Sequence, residues 1–309
     1  MNTIEIKPRG YCHGVVNALV IVKKVLKDPS YPRPIYILGQ IVHNRQITDF
    51  FSTHGVISLD QEGMSRLDML ETINDGTVIF TAHGISDKVI ERAKEKGLTY
   101  LNATCKDVLK VHVAVKDKLN EGYKVIYIGH RNHPEPEAVL DISDDIYFVE
   151  NEQDVLLLPN NLNQEKIFVT NQTTLSMYDI NNVLKMIELK YPNYIFDNEI
   201  CKATTMRQDA VMDQDLVDLM LVVGDKKSSN SNKLVEVGLK TKAKVSFLIQ
   251  NVNDIDLQWL NNANQVSVTS GASTPSTVTK EVIAFLKQYK KDDPSTWDHQ
   301  SKIDDKDIL

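Results

Sequence analysis

Three apolar segments that each end in glycine indicate how the chain folds: IYILG at residues 35–39, VIYIG at 125–129 and LMLVVG at 219–224. Continuous apolar character is typical of strands in a parallel sheet whose two faces are both covered. Segments of helix length alternate with the strand-like segments, as they do in βαβ units. The sequence therefore predicts an α/β fold, and the recurrence of the segment predicts three similar small lobes.

The three cysteines recur with nearly the same period. Cys12 and Cys105 are 93 residues apart, and Cys105 and Cys201 are 96 residues apart. The glycine that ends each apolar segment follows its cysteine by 27, 24 and 23 residues. A polar turn after a second strand-like segment lies 71, 68 and 72 residues after each cysteine, at His83, Thr173 and Ser273. Landmarks that recur in register three times indicate an internal repeat.

The repeat divides the chain into four segments. The expected lobes are residues 1–101 with the N-terminal strand and Cys12, 102–198 with Cys105, and 199–289 with Cys201. Residues 290–309 are rich in charge, are broken by proline and lack periodicity, so we expect a disordered tail there.

Composition excludes several classes of protein. The chain has 309 residues, of which 42% are hydrophobic and 25% charged, as in an ordinary globular protein. A formal net charge of −7 argues against a general nucleic-acid or membrane-surface role. No run approaches eighteen apolar residues and the N-terminus lacks the apolar region of a signal peptide, so we expect a cytoplasmic protein.

The cysteines favour a metal cluster over a disulfide or a zinc finger. Three cysteines are too few for a disulfide scaffold, and neither a Cys-x-x-Cys pair nor histidines at zinc-finger spacing occur. Each cysteine precedes a helix-compatible segment (15–27, 107–121 and 205–219), whose N-terminus favours an anionic group. Three thiolates can hold three irons of a 4Fe-4S cluster and leave the fourth open. For any one cysteine alone, simple burial is the alternative.

A set of hydrogen-bond donors follows the predicted strands. Neutral and protonatable donors of this kind suit a diphosphate in a protein whose net charge is negative. Metal ligation by the histidines is the competing use, which the available thiolates make less favourable. The donors are His43, His83, His133, Ser228, Ser229, Asn230 and Ser273.

Glu135 is a candidate proton donor. It lies between two prolines in HPEPE, which hold the backbone extended and aim the carboxylate. A neighbouring negative charge would raise the pKa of this carboxyl and allow it to deliver protons. From the residues alone, an exposed loop carboxylate is an alternative, and Glu137 is equally eligible. Thr173 and Thr174 are candidates for a proton relay or for binding a substrate hydroxyl, and are otherwise ordinary turn residues.

The motifs around these residues carry a family resemblance. They are PRGYCHGV, VHNR, TAHG, NATCKDV, NHPEPE, TNQTTLS, EICKATTMRQ, KSSNSNKL and TSGASTP. From about Ile4 to Lys287 the chain resembles the bacterial 4-hydroxy-3-methylbut-2-enyl diphosphate reductases of the LytB/IspH family, and in places the version found in bacilli.

The resemblance implies a trefoil-like, pseudo-threefold α/β fold around a central cavity and a 4Fe-4S cluster with one open iron. The implied cluster ligands are Cys12, Cys105 and Cys201. The implied substrate-binding residues are His43, His83, His133, Thr173, Ser228, Ser229, Asn230 and Ser273. Glu135 would be the proton source, with Thr173 and His133 beside it at the catalytic end.

The implied reaction removes the allylic hydroxyl reductively and gives isopentenyl and dimethylallyl diphosphate, the last step of the non-mevalonate isoprenoid pathway. Because the sequence contains no nicotinamide or flavin fingerprint, the expected electron donor is a ferredoxin or a flavodoxin. No nucleic acid or membrane partner is expected.

Two other functions remain open from the sequence. A hydratase or lyase would use the open iron without a reductant. A sensor would hold a cluster or zinc and recognise a phosphate ester, although no basic DNA-reading helix is present. The chain departs from the family pattern at His13, Asn102 and Lys106, which we expect to tune the cluster and to leave its ligands in place.

Overall fold

The computed structural model describes residues 1–304, 307 and 308. Within these residues the strands form three sheets of four parallel strands each. The strands are β1 (Asn2–Glu5), β2 (Ile35–Leu38), β3 (Val56–Leu59), β4 (Thr77–Phe80), β5 (Thr99–Asn102), β6 (Tyr123–Ile128), β7 (Ile146–Val149), β8 (Lys166–Asn171), β9 (Tyr194–Phe196), β10 (Val217–Val223), β11 (Ala243–Ile249) and β12 (Gln265–Ser270).

Helices alternate with these strands along the chain. They are α1 (His13–Lys27), α2 (Arg45–Thr53), α3 (Arg66–Glu71), α4 (Asp87–Glu95), α5 (Lys106–Asn120), α6 (Pro134–Leu140), α7 (Glu152–Leu157), α8 (Met177–Lys190), α9 (Lys202–Met212), α10 (Ser229–Thr241), α11 (Leu257–Leu260) and α12 (Ser276–Gln288). Among the described residues, none of these helices has the length and apolar character that crossing a membrane requires.

The strand order is the same in all three sheets. Read from the strand that precedes a cysteine, the orders are β1-β12-β10-β11, β5-β4-β2-β3 and β9-β8-β6-β7. The helices α1, α5 and α9 each begin at the residue after a cysteine. These observations confirm the prediction of three similar α/β lobes, with every cysteine at a helix start. The arrangement of the lobes around a central cavity stays a prediction.

The chain divides into two compact units. Unit 1 comprises Met1–Val16, His43–Phe50 and the described residues from Lys202 onward, and it contains the sheet of β1, β12, β10 and β11. Unit 2 comprises Asn17–Val42 and Phe51–Cys201, and it contains the other two sheets.

Buried apolar residues cover both faces of the central strands. In unit 1, Leu219 and Leu221 of β10 pack in one hydrophobic cluster, and the alternate residue Met220 packs in another. In unit 2, Ile126 of β6 packs on one face and Tyr127 on the other. Because successive side chains point to opposite faces of a strand, a continuous apolar run is what a doubly covered sheet requires.

Two details of the lobes differ from the sequence-based expectations. β1 pairs with β12, with Asn2 opposite Gln265, so the N-terminal strand lies in the third sheet instead of the first lobe. β1 is the edge strand of that sheet. Because its partner lies near the other end of the chain, spacing along the sequence does not reveal the pairing. The helix after Cys201 ends at Met212 instead of residue 219, because the apolar run from Val217 joins the sheet as β10.

The described part of the C-terminal tail is hydrogen-bonded, unlike the disordered tail that its composition predicts. Ser301 donates to Glu281 at 2.7 Å, and Thr277 donates to the carbonyl of Asp307 at 2.6 Å. The hydroxyl of Tyr11 donates to the carbonyl of Ile308 at 2.7 Å. Residues 305, 306 and 309 of the predicted tail lie outside the described residues.

Candidate active site

Each cysteine is tied by its backbone to the turn that follows a central strand. In every case the N–H group of the cysteine donates to a carbonyl in that turn. The three bonds, each 3.0 Å long, are Cys12 to Ala272, Cys105 to Ala82 and Cys201 to Thr173. Within each unit, the fold therefore holds a thiol beside a predicted polar turn.

The thiols have the exposure and position that a metal site needs. All three cysteines are partly exposed, and none is in a disulfide. Each directly precedes a helix, where the backbone dipole favours negative charge. Cys12 lies in unit 1, and Cys105 and Cys201 lie in unit 2. Convergence of all three on one centre stays a prediction.

Glu135 is a buried carboxyl that is hydrogen-bonded on both oxygens. It lies in the first turn of α6 instead of the extended segment that the flanking prolines predicted, because proline also fits the start of a helix, and only 1% of its surface is exposed. Oε1 accepts the N–H of Thr173 at 2.8 Å and the hydroxyl of Tyr127 at 3.4 Å. Oε2 lies 2.9 Å from Oγ1 of Thr173. The carboxyl is thus connected to the turn that also receives the N–H of Cys201.

The environment of Glu135 brings its pKa near neutrality. Burial is the largest effect and raises the pKa to about 7, because the charged form loses its hydration. The bonds from Thr173 and Tyr127 lower the pKa, and the negative charge of Asp107 raises it further. A carboxyl of this kind can hold or release a proton at neutral pH.

Glu137 has a different environment from Glu135, although the sequence made the two equally eligible. Its carboxylate accepts the N–H of Arg66 at 2.8 Å and forms a 3.3 Å ion pair with the guanidinium of that residue. About a third of the Glu137 side chain, 34%, is exposed. Of the two carboxyls, Glu135 is therefore the buried one with a raised pKa, and Glu137 makes contacts with α3.

Two of the predicted histidines meet in unit 2. The rings of His83 and His133 are nearly perpendicular, with their centroids 5.6 Å apart. Nδ1 of His133 accepts the backbone N–H of Glu135 at 3.2 Å. A neutral His133 must then carry its hydrogen on Nε2, where the ring remains a donor. His83, His133, Glu135 and Thr173 thus form one connected group, in which His133 is bonded to the backbone of Glu135.

The other predicted donors lie in unit 1. Ser273 donates to the carbonyl of His43 at 2.9 Å, which joins two of the predicted turns. Asp225 accepts the N–H of Arg45 at 2.9 Å and that of Lys227 at 2.8 Å. This buried carboxylate therefore fixes the turn after His43 to the turn that precedes α10.

The N-terminus of α10 has the features of an anion site. Ser228 caps the helix and accepts the N–H of Ser231, and Ser229 is the first helical residue. The side chain of Asn230 is buried, and its amide has no hydrogen-bond partner among the described residues. A buried amide without partners is uncommon and marks a position where a polar ligand would bind.

Two glycines allow α10 to lie this close to the sheet. A Cβ atom added to Gly224 or to Gly271 would collide with Oγ of Ser231. These glycines follow β10 and β12, so the helix N-terminus lies directly at the carboxyl ends of both strands. Ligands bind at this edge in open parallel sheets.

The structure also explains one departure from the family pattern. Oδ1 of Asn102 accepts the N–H of Thr104 at 2.9 Å and closes the turn before Cys105. An aspartate can form the same bond, so Asn102 removes a charge without changing the turn. His13 and Lys106 are exposed first residues of α1 and α5.

Sequence reasoning missed two residues of the site. Tyr127 lies within an apolar strand, where its phenolic oxygen was the only hint of a polar role. Asp225 directly follows Gly224, and its place between a strand end and a helix start could have identified it. Both are buried and act on their neighbours within one unit.

Comparisons with known proteins show the family of the chain. The family model of the LytB protein matches residues 4–287. A protein of Bacillus cereus (strain AH820) named 4-hydroxy-3-methylbut-2-enyl diphosphate reductase is 50% identical over 305 residues, which cover 98% of this chain and 95% of the relative. A protein of the same name from Bacillus thuringiensis (strain Al Hakam) is 50% identical over 307 residues, with the same coverage.

Two solved structures share the fold. The E-1-hydroxy-2-methyl-but-2-enyl-4-diphosphate reductase from Plasmodium falciparum has a TM-score of 0.82 and 36% identity, with 93% of this chain and 88% of that chain covered. An (E)-4-hydroxy-3-methyl-but-2-enyl diphosphate reductase, described as the terminal enzyme of the non-mevalonate pathway, has a TM-score of 0.64 and 28% identity. The match covers 94% of this chain and 100% of that chain.

Proposed function

Because the chain belongs to the LytB protein family, we propose that it reduces 4-hydroxy-3-methylbut-2-enyl diphosphate to isopentenyl and dimethylallyl diphosphate. The reaction takes up two electrons and two protons, breaks the allylic C–O bond and releases water. The observation that carries the proposal is the buried carboxyl of Glu135, hydrogen-bonded to Thr173 in the turn that binds the backbone of Cys201.

The cysteines fit an iron-sulfur cofactor by their chemistry. Cys12, Cys105 and Cys201 are partly exposed thiols outside disulfides, each at the start of a helix. Thiolates are the usual protein ligands of iron-sulfur clusters, and three of them suit a 4Fe-4S cluster with one open iron. When bound, such a cluster supplies single electrons and Lewis acidity.

The donors of unit 1 and the histidines of unit 2 provide the proposed substrate contacts. Ser228, Ser229 and Asn230 at the start of α10 suit a diphosphate, because the helix dipole favours anions there and the buried amide of Asn230 has no hydrogen-bond partner among the described residues. Ser273 and His43 come from adjoining turns of the same unit. His83 and His133 contribute ring N–H donors from unit 2.

Glu135 and Thr173 are the proposed proton path to the leaving hydroxyl. The protonated carboxyl donates to Oγ1 of Thr173, and the Thr173 hydroxyl donates in turn to the substrate oxygen. Both side chains are buried, so bulk water does not compete for the proton. Since the pKa of Glu135 is about 7, a substantial fraction of the molecules carries this proton at neutral pH.

The electrons must come from another protein or from a chemical reductant. The sequence contains no nicotinamide or flavin fingerprint, so a one-electron carrier of the ferredoxin or flavodoxin type is the proposed donor.

An anaerobic assay tests this function. Protein reconstituted with iron and sulfide is mixed with the allylic diphosphate, with and without dithionite, and the products are measured. We expect isopentenyl and dimethylallyl diphosphate only with the reductant. Conversion of the substrate without a reductant would indicate a hydratase or lyase, and binding without conversion would indicate a sensor.

The same assay tests the proton path with a matched pair of variants. Glu135→Gln keeps the shape of the side chain but cannot donate a carboxyl proton, so we expect turnover to fall by roughly a factor of 100 or more with cluster absorbance intact. Glu137→Gln, two residues away, should keep turnover within about threefold of wild type, because Glu137 is partly exposed and contacts Arg66 instead of Thr173. Equal losses in the two variants would contradict the assignment of Glu135.

A further inference from the structure

A tyrosine hydroxyl is buried beneath the proposed proton donor. Tyr127 lies in β6 with no exposed surface, packed among apolar residues that include Val139 and Phe168. Its hydroxyl makes a 3.4 Å hydrogen bond to Oε1 of Glu135. Burying a phenolic oxygen costs free energy unless it is hydrogen-bonded, and a phenylalanine would fill the same space without this requirement. The hydroxyl therefore has a role that packing alone does not explain.

Packing restricts the ring of Tyr127. A Cβ atom built on Gly129 would lie 3.2 Å from Cε1 of Tyr127 and 2.9 Å from Cγ of Pro136. The ring and the first turn of α6 thus lie close together around a residue that has no side chain. A side chain at position 129 would displace the ring or the first turn of α6, so the glycine preserves the approach of the hydroxyl to Glu135.

The two oxygens of Glu135 have different partners. Oε1 faces the backbone N–H of Thr173 at 2.8 Å as well as the phenol. Oε2 faces Oγ1 of Thr173 at 2.9 Å. An oxygen that already accepts two hydrogen bonds is a poor place for the acidic proton, because an O–H there would point at other donors.

We propose that Tyr127 is a positioning residue, which donates to Oε1 of Glu135 and so keeps the transferable proton on Oε2, next to Thr173. This inference rests on the proposed function, since it concerns the proton source of that reaction. No bond to carbon changes in this step. One proton moves from Oε2 to Oγ1 of Thr173 while the Thr173 proton moves to the substrate oxygen.

The other groups around Glu135 do not perform this selection. Asp107 of α5 acts on the carboxyl through its negative charge. Nδ1 of His133 receives the backbone N–H of Glu135 and leaves both carboxyl oxygens untouched. Among the described residues, Tyr127 is the side chain that distinguishes the two oxygens on the side away from Thr173.

The test compares Tyr127→Phe with Tyr123→Phe. Both variants remove a hydroxyl from β6, but Tyr123 is partly exposed and packs near Lys118 and Lys166. The carboxyl C=O band of protonated Glu135, identified by its loss in Glu135→Gln, is followed by infrared spectroscopy as the pH is raised. Turnover and its pH dependence are measured on the same reconstituted proteins.

We expect the Glu135 band to disappear at a pH higher by about 0.3 to 1 unit in Tyr127→Phe, because a bond to the charged form is lost. We also expect kcat to fall by roughly twofold to tenfold with KM unchanged. Tyr123→Phe should match wild type in both measurements. An unshifted band in Tyr127→Phe, or a loss confined to KM, would overturn the inference. The infrared result stands independently of reductase activity, so absent turnover in wild type would refute the proposed function separately.

Discussion

At the scale of single residues, Glu135 shows how burial and hydrogen bonding oppose each other. Burial raises its pKa from 4.5 to about 7 despite the bonds from Thr173 and Tyr127. The carboxyl therefore lowers the free energy of unfolding as the pH rises through that interval. Partly exposed Glu5 is the reverse case, since hydrogen bonds from Lys287 and Arg9 lower its pKa to about 2. A destabilising acid is expected at a site of proton transfer.

His112 has the corresponding effect for a base. It is buried in α5, and burial lowers its pKa from 6.5 to about 4 because the charged form loses its hydration, with the positive charge of Lys116 adding to the effect. Its ring lies beside Gly84 of the TAHG turn. Between these two pH values the unfolded chain binds a proton that the folded chain does not bind.

We predict that this histidine weakens the protein in acid. Above pH 6.5 the ring is neutral in both the folded and the unfolded chain, so its protonation does not affect stability. The free energy of unfolding falls as the pH is lowered from 6.5 to about 4. The total loss from this group is on the order of 3 kcal/mol. In His112→Gln the thermal midpoint should depend less on pH across that range. The exposed His54 offers a matched control, because His54→Gln should keep the wild-type dependence. An unchanged slope in His112→Gln would be inconsistent with this account.

Some of these residues could be predicted from sequence and others could not. The prolines in HPEPE pointed to Glu135, but the choice between Glu135 and Glu137 depends on which carboxyl Arg66 reaches, and Arg66 is distant in the chain. Tyr127 was hidden by its apolar neighbours. Burial and long-range contacts, which set both assignments, are not encoded in local spacing.

At the scale of elements, two helices begin with the same reciprocal cap. In α3, Ser65 accepts the N–H of Asp68, and in α8, Ser176 accepts that of Asp179, while each aspartate bonds back to its serine. Ser176 follows the turn that carries Thr173, whereas Ser65 is exposed. Comparing the two serines therefore distinguishes the stability that a cap gives to its helix from the influence of the cap on the site.

We predict that Ser176→Ala and Ser65→Ala each lower the free energy of unfolding by about 1 kcal/mol, the usual cost of losing such a cap. Turnover should fall severalfold only in Ser176→Ala, because α8 anchors the turn of Thr173. Thermal unfolding and the reductase assay measure the two effects. Equal turnover in both variants would show that the cap has no influence on the site.

The elements themselves were largely predictable. The glycine-ended apolar segments became β2, β6 and β10, since doubly covered parallel strands require such runs. The repeat was one residue out of register in the second lobe. The carbonyls that receive the cysteine N–H groups belong to Ala82, Thr173 and Ala272, so Thr173 corresponds to the residues before His83 and Ser273. Turn lengths vary between repeats, and counting alone cannot correct for them.

At the scale of the whole molecule, the first and the last strand of the chain pair in one sheet. β1 pairs in parallel with β12, and the turn after β12 receives the N–H of Cys12. Each cysteine therefore follows an edge strand of a sheet, β1, β5 or β9. The division at residues 102 and 199 placed Cys105 and Cys201 at the start of a lobe instead. The sequence revealed the number of repeats, but a strand supplied from the other end of the chain leaves no local trace.

The most direct test of the central claim is the metal content of the protein purified without oxygen, measured for wild type and for Cys12→Ser, Cys105→Ser and Cys201→Ser. If the three thiols hold one 4Fe-4S cluster, wild type should contain about four iron and four sulfide ions per chain. Each variant should be folded, as measured by circular dichroism, and should lose most of its iron and visible absorbance. Zinc in place of iron, or a full cluster in any one of the three variants, would contradict the account.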